Sequence, residues 1–317
     1  MTYERILKEI KRPNKNPALR VLQCLVVAAR PLRFAELAEV LAVDIDGAED
    51  IPRLNPGSRW KDQEQALLIT CSSLNAIVEA SARDSEVEAD GLRVVQFPHL
   101  SFKEFLTSSR LATSSGEASS YYINLDPAHM ILAKICLGVL LQIQDDVEGR
   151  TPEDHPLARY AAEHWATHAQ FGEVSSRLHK GIECLFDANK PHFQMWLTLY
   201  DIDTKPNDDA TFHWFAPDDK APASPLYYAA LCGLYDLVEH LIVKYPQDVN
   251  ADGGYYMRPI LAALAGGHFQ IADLLRHNGA DPHVRGNFGM TPLHAATLSE
   301  NFEVVRILVE YDHQIQG

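Results

Sequence analysis

Residues 291–296, TPLHAA, decide the fold of this chain of 317 residues. Related stretches occur twice before them, as SPLYYAA from Ser224 and as RPILAAL from Arg258. Spacings of 34 and 33 residues separate the three prolines, Pro225, Pro259 and Pro292. A self-similar period of about 33 residues indicates a two-helix unit that buries its apolar face only by stacking on neighbouring units.

The start of each unit carries helix-initiation signals. Proline is favoured at the first helical position, because the missing N–H would have no partner there. Ser224 and Thr291 precede their prolines with a hydroxyl that can cap the helix, whereas Arg258 cannot. The second helix of each unit has an apolar stripe. Its members are Leu237, Leu241, Ile271, Leu275, Val304 and Leu308.

Glycine marks the turn between the two helices in the first two units. Gly233 and Gly267 stand where the chain needs a left-handed backbone conformation, which glycine adopts without steric cost. Glu300 occupies this place in the third unit. A residue with a side chain costs about 1 kcal/mol in that conformation, so the third unit is expected to be weaker.

These residues resemble the ankyrin repeat family over residues 223–312: TPLHAA matches its first-helix signature, and NGADPH at 278–283 matches its usual ending. The resemblance implies a solenoid that binds proteins through its finger tips and first helices. In the family, His294 would link adjacent repeats by hydrogen bonds, but Tyr227 and Leu261 hold the matching positions, so that network is expected to be incomplete. The expected partner-contact residues are Tyr228, Leu231, Ala262, Arg285, Asn287, Phe288 and Leu298.

The N-terminal region predicts a different architecture. Residues 16–43 form two apolar-periodic helices, residues 62–80 a third, and residues 92–97, LRVVQF, a strand. Three helices followed by a hairpin is the order of a winged helix. Over residues 1–110 this region resembles the winged-helix part of fungal NACHT-type, NOD-like-receptor-like NTPases with ankyrin repeats, in which it follows the NTPase domain.

Motifs for catalysis are absent from the sequence. No G-x-x-x-x-G-K-[ST] occurs to cradle a nucleotide phosphate, and no G-x-S-x-G occurs to present a nucleophilic serine. The segment from Pro98 to Leu106 instead predicts a helix that begins at Ser101, with Glu104 completing a capping box and Leu100 packing on Phe105. No enzyme activity, cofactor or small-molecule substrate is therefore expected.

Two groups of side chains suggest metal binding only superficially. His164 and His168 share a helix face, near His155 and Glu163, but the order is not H-E-x-x-H, so packed or solvated histidines are preferred. Six aspartates lie between residues 201 and 219 without the D-x-[DN]-x-[DN]-G order of a calcium loop. An acidic surface segment is the preferred interpretation, and no metal is expected.

Charge and cysteine content limit the partners and the compartment. The 28 Lys and Arg residues against 43 Asp and Glu residues give a net charge of -15, which repels nucleic acid and anionic lipid. The third predicted helix has no basic residue between 62 and 82. Five widely spaced cysteines indicate buried thiols in a reducing compartment, and no apolar run is long enough to span a membrane, so a cytoplasmic protein is expected.

The sequence therefore predicts a mainly α chain with three parts. These are a winged-helix-like domain at 1–112, a helical spacer at 113–215 and about three ankyrin repeats at 216–317. The expected function is non-enzymatic binding of another protein, as the post-NTPase part of a fungal receptor-like signalling protein. The alternative is a nucleic-acid-binding or regulatory winged-helix protein.

Overall fold

The computed structural model describes residues 2–45, 51–55, 76–79, 93–97, 99–143, 155–203 and 223–298, and residues 302 and 306. It contains two compact units, Met1–Leu185 and Phe186–Gly317. The described residues are mainly helical, which confirms the predicted class. The division into three domains remains a prediction.

Unit 1, residues 1–185, is built mostly of helices. They are α1 Thr2–Glu9, α2 Lys15–Val27, α3 Phe34–Val40, α4 Leu100–Leu106, α5 Ser109–Ala112, α6 Leu125–Leu140, α7 Ala158–Ala169, α8 Val174–Arg177 and α9 His179–Leu185. Helix α6 packs against both α2 and α7 and is buried along most of its length. Near its C-terminal end lies Gly138, where an added Cβ would lie 2.9 Å from the Val43 side chain. The core of unit 1 is thus centred on α6.

Short strands complete unit 1. Strands β1 Leu32–Arg33, β5 Arg93–Gln96 and β4 Ala76–Glu79 form an antiparallel sheet in the order β1-β5-β4. Strands β2 Val43–Asp44 and β3 Arg53–Leu54 form a separate pair. The predicted strand at 92–97 is confirmed by β5. The predicted hairpin is also confirmed, because Ile77 and Val78 lie in β4 and pair with β5. The third helix therefore does not extend to residue 80 as predicted, and the rest of it lies outside the described residues.

The predicted start of α4 is also wrong. The helix begins at Leu100, and His99 precedes it without a side-chain capping bond. Ser101 Oγ lies 2.9 Å from the hydroxyl of Tyr3, whose ring packs on Phe105. Leu100 is 71% exposed and makes no hydrophobic staple. Ser101, which the sequence predicts as the cap of α4, therefore contacts α1 instead.

Unit 2, residues 186–317, begins with α10 Pro191–Leu199 and continues with paired helices. The described members of these pairs are α11 Pro225–Leu231, α12 Tyr235–Lys244, α13 Pro259–Ala265, α14 Phe269–His277 and α15 Pro292–Leu298. Helix α13 packs against α11 and α15. The three first helices start at the predicted prolines.

The predicted caps of these helices are confirmed. Ser224 Oγ accepts a hydrogen bond of 3.3 Å from the Tyr227 N–H. Thr291 Oγ1 accepts one of 3.4 Å from the His294 N–H. Arg258 makes no side-chain capping bond.

The turns between paired helices are left-handed, as predicted, with φ of 71° at Gly233 and 80° at Gly267. Gly233 has a second role, since a Cβ there would lie 2.4 Å from the ring of His268. That ring is also hydrogen-bonded to the backbone of Leu231 in the preceding repeat. The turn at Glu300 lies outside the described residues.

Cysteines Cys24, Cys136, Cys184 and Cys232 form no disulfide bond. All are buried except Cys184, which is half-buried, and Cys71 lies outside the described residues. Burial raises the pKa of the Cys24 thiol to about 12, so this thiol is protonated and unreactive at neutral pH.

Candidate protein-interaction surface

Helix α10 covers the first helix of the repeat array. Phe193 and Trp196 of α10 contact Tyr228 of α11, with ring centroids 5.7 and 6.2 Å apart. Trp196 is fully buried, and Tyr228 is also buried. The aromatic face of α11 is therefore packed inside unit 2.

A buried carboxylate lies directly after α10. Asp203 accepts a hydrogen bond of 2.6 Å from the Tyr227 hydroxyl and one of 3.1 Å from the Tyr255 N–H. The same hydroxyl accepts a bond of 3.1 Å from the Tyr256 N–H. Burial, followed by the charge of Asp203, raises the pKa of Tyr227, so the hydroxyl keeps its proton. These bonds connect the segment after α10 to the first helix and to the loop before α13.

This network corrects two predictions. The sequence placed Asp203 in an acidic surface segment, but it is only 4% exposed, because its charge is satisfied by Tyr227 and the backbone. The hydrogen-bond network between repeats was expected to be incomplete at Tyr227 and Leu261, yet the Tyr227 hydroxyl accepts a bond from the loop of the next repeat. Leu261 has no polar group in its side chain, so the expectation holds there. Of the other aspartates in the segment, Asp201 is described and exposed, and the remaining four lie outside the described residues.

Replacement of Asp203 by alanine is expected to lower the free energy of unfolding of unit 2 by about 2–3 kcal/mol. The variant leaves the Tyr227 hydroxyl and the Tyr255 N–H without their acceptor in a buried place. Urea unfolding of the full chain, followed by hydrogen exchange at repeat amides, measures the change.

A double-mutant cycle with Tyr227→Phe isolates the interaction, and the double variant should lose less than the sum of the single variants. The matched control is Asp252→Asn, since Asp252 forms an exposed ion pair of 3.0 Å with Arg258. This control should cost under about 1 kcal/mol. Equal losses for the Asp203 variant and the control would contradict the assigned role.

The loops before α13 and α15 are the fingers of the array. Each closes with a backbone bond, from the Gly253 N–H to the Met257 carbonyl at 3.0 Å and from the Gly286 N–H to the Met290 carbonyl at 2.8 Å. Asn287 Nδ2 donates to the Tyr255 carbonyl at 2.8 Å and so joins the two fingers. Asn287 thus has a structural role that the sequence did not indicate.

The seven predicted contact residues lie in different environments. Exposed residues are Arg285 and Leu298, half-buried residues are Leu231 and Asn287, and buried residues are Tyr228 and Ala262. The Phe288 side chain lies outside the described residues. Helix α15 also exposes Leu293, although its counterparts Leu226 and Ile260 are buried in the earlier repeats. Leu231, Arg285, Asn287 and Leu298 are thus the predicted contact residues that are at least partly accessible, and together with Leu293 we call them the array surface.

The histidines of α7 and their predicted neighbours do not form one cluster, although His164 Nε2 lies 3.6 Å from the Glu163 carboxylate. His168 is buried, with Nε2 2.9 Å from the Tyr160 hydroxyl and Nδ1 3.0 Å from Nδ1 of His129. His155 instead lies 3.9 Å from the carboxylate of Glu39. Within the part of the chain that the structure describes, no three His, Cys, Asp or Glu side chains are placed to hold a metal ion.

Buried carboxylates on α3 form the other polar cluster of unit 1. Glu36 is fully buried and accepts bonds of 2.9 and 2.7 Å from Arg30, and Arg33 Nε donates to it at 2.9 Å. Burial alone would raise the pKa of Glu36, but these arginines hold it below its usual range. Glu39 accepts a bond of 2.7 Å from the Leu157 N–H at the start of α7. Helices α3 and α7 are therefore joined by buried charge.

Comparison with known families identifies the class of the C-terminal part of the chain. Residues 226–316 match the ankyrin repeat family in three copies, so this part of the chain is an ankyrin repeat array. Such arrays are non-catalytic folds that present extended binding surfaces, and they indicate a protein-interaction module. Among the described helices, none is long and apolar enough to cross a membrane.

Two relatives extend this result. The chain is 30% identical over 297 residues to azaphilone pigments biosynthesis cluster protein L of Monascus ruber. The matched region covers 88% of this chain and 59% of that protein. The chain thus spans little more than half the length of that relative. It is also 32% identical over 72 residues to alpha-latrocrustotoxin-Lt1a of Latrodectus tredecimguttatus, covering 23% of this chain and 5% of the toxin.

Proposed function

We propose that this chain is a non-enzymatic interaction module that binds another protein through the array surface, in the cytoplasm of a fungal cell. The ankyrin array at residues 226–316 is the observation that carries this proposal. The array surface contains both exposed leucines and an exposed arginine, which suit a partner with apolar and acidic side chains.

We further propose that the module is the post-NTPase part of a receptor-like signalling protein. Support comes from the element order α2, β1, α3, β2, β3, β4, β5 and the sheet order β1-β5-β4. Apart from the small β2–β3 pair, this order suits a winged helix. The fungal relative, which is longer than the matched region, also supports it. In this scheme the array senses the partner and unit 1 passes the event to an NTPase.

Substitution within the array surface is expected to abolish partner capture. In the double variant, Arg285→Glu reverses a charge that faces the partner, and Leu298→Glu buries a carboxylate in the interface. Together they should lower the affinity of the complex by more than about 100-fold. Affinity capture from fungal extract with quantitative mass spectrometry compares this variant with wild type.

The matched control is Val243→Glu, because Val243 is 81% exposed on α12 and lies outside the array surface. A protein retained by wild type and the control but lost from the double variant supports the proposal. A protein retained equally by all three shows that binding occurs elsewhere on the chain.

A second candidate is nucleic-acid binding by unit 1, which the sheet order favours. The net charge of -15 opposes it. Fluorescence anisotropy with duplex DNA at about 50 mM and about 200 mM salt distinguishes protein binding from nucleic-acid binding. Binding that depends on phosphate contacts weakens steeply as the salt concentration rises. Tight binding with that salt dependence would favour the second candidate.

A further inference from the structure

Four polar groups in unit 1 form one continuous hydrogen-bond chain, which we call the histidine relay. The Ala29 N–H donates to the Tyr160 hydroxyl at 3.1 Å. That hydroxyl lies 2.9 Å from Nε2 of His168, whose Nδ1 lies 3.0 Å from Nδ1 of His129. The relay therefore connects the segment after α2 to α7 and then to α6.

Hydrogen-bond chemistry favours one direction of the relay. A backbone N–H can only donate, so the Tyr160 oxygen accepts from Ala29, and the Tyr160 proton is satisfied when it points to His168 Nε2. Neutral His168 then carries its proton on Nδ1 and donates it to Nδ1 of His129. His129 in turn carries its proton on Nε2. One set of neutral tautomers satisfies every group.

An additional proton on His129 is incompatible with this arrangement. Two N–H groups would then face each other across 3.0 Å, and that bond would be lost. If His168 moved its proton to Nε2 instead, the Tyr160 oxygen would accept from both neighbours. The Tyr160 proton would then lose its acceptor inside the relay, which is unfavourable in a buried place. Either response removes one bond from the relay.

The surroundings of the relay assign a different role to each histidine. His129 is half-buried and stacks on Phe171, with ring centroids 3.9 Å apart. The charged groups that act on it are Asp126 on its own helix and Lys103 on α4. His129 is thus the member that solvent reaches.

His168 is only 1% exposed, and the titratable groups acting on it are His129 and His164. Burial, then these two rings, lower its pKa to about 3. The Tyr160 ring lies against the Arg30 guanidinium, 4.9 Å from its centroid, and the charges near His164 are Glu163, Arg30 and Glu36. His168 therefore stays neutral at physiological pH. Its role is to couple the protonation of His129 to the hydrogen bond with Tyr160.

We propose that the histidine relay is a proton-sensitive joint, in which protonation of His129 breaks the hydrogen-bonded connection between α6, α7 and the segment that carries Ala29, while the apolar packing of α6 on α7 remains. This inference rests on the geometry of unit 1 and is independent of the proposed function. Acidification loosens this joint before it unfolds the unit.

The direction of the pH effect follows from the folded state. Burial, partly offset by Asp126, lowers the pKa of His129 below its ordinary value of 6.5. Opening the relay restores the ordinary pKa, so the opened state binds more protons. The closed joint is fully favoured above pH 6.5 and loses stability as the pH falls below it.

Direct detection of the tautomer tests the directionality. Nitrogen-15 NMR of the full chain, labelled at histidine, should show His168 protonated on Nδ1 at about pH 7.5. At one pH unit below 6.5, each histidine that becomes protonated on opening raises the equilibrium constant for opening the relay by up to about tenfold. Hydrogen-exchange protection of the Ala29 amide, corrected for intrinsic exchange, should therefore fall between about pH 7.5 and about pH 5.5, by up to about tenfold for each relay histidine that titrates on opening.

Variant His129→Asn removes the titrating ring but keeps an acceptor oxygen near the position of Nδ1. Its loss of Ala29 protection on acidification should be several-fold smaller than that of wild type. The control His179→Asn changes an exposed histidine of α9 and should behave as wild type. Protonation of His168 on Nε2 at neutral pH, or equal pH-dependent losses in wild type and His129→Asn, would overturn the proposal.

Discussion

Replacement of Glu36 by alanine is expected to lower the free energy of unfolding of unit 1 by about 3 kcal/mol, with 5 kcal/mol as an approximate upper limit. The carboxylate is fully buried, and it neutralises Arg30 and Arg33 at 2.7 and 2.9 Å. It also accepts a bond of 2.6 Å from the Arg33 N–H at the start of α3. The arginine side chains are 31% and 38% exposed, so water can partly replace the lost carboxylate. The lower end of the range is therefore expected.

Urea unfolding of the full chain, with hydrogen exchange at α2 and α6 amides, measures this loss. Glu104→Ala is the matched control, because Glu104 lies exposed on α4 of the same unit. The control should change stability by under about 0.5 kcal/mol. If both variants lose equally little, the Glu36 cluster does not stabilise the unit.

Replacement of Trp196 by alanine is expected to destabilise unit 2 by about 3–5 kcal/mol. The side chain is completely buried between Phe186, Phe193 and Tyr228. A cavity there removes the contact of α10 with the first repeat, and each repeat depends on its neighbours. Exchange protection should therefore fall in α11 and, more weakly, in α13.

Two controls separate packing from surface effects. Trp196→Phe retains much of the buried volume and should cost about half as much as alanine. Gln194→Ala changes an exposed residue of the same helix. Unchanged protection of α11 in the alanine variant would mean that α10 is not part of the cooperative repeat unit.

The repeat helices could be predicted because their signals are local. Proline at the helix start, serine or threonine before it, and glycine at the turn act within a few residues of where they stand. Each signal recurs at the same place in a period of about 33 residues, so the helix starts at Pro225, Pro259 and Pro292 agree with the structure.

The contacts that complete the fold could not be predicted, because they join distant parts of the chain. Asp203 and Tyr227 are 24 residues apart, and nothing in an acidic stretch distinguishes the one carboxylate that is buried. Tyr228 has the position of a contact residue in a repeat, yet α10 covers it. Likewise, Glu39 looks like a surface charge in sequence but is buried, and it accepts a bond from the Leu157 N–H, 118 residues away.

The placement of the His268 ring has a consequence for how the array responds to fluctuations. The ring belongs to the second repeat, fills the space above Gly233 in the first and is bonded to the backbone of Leu231. Neither repeat can open at this junction without displacing the other. The junction therefore couples the two repeats mechanically. A change in the structure or dynamics of one repeat is expected to change those of its neighbour.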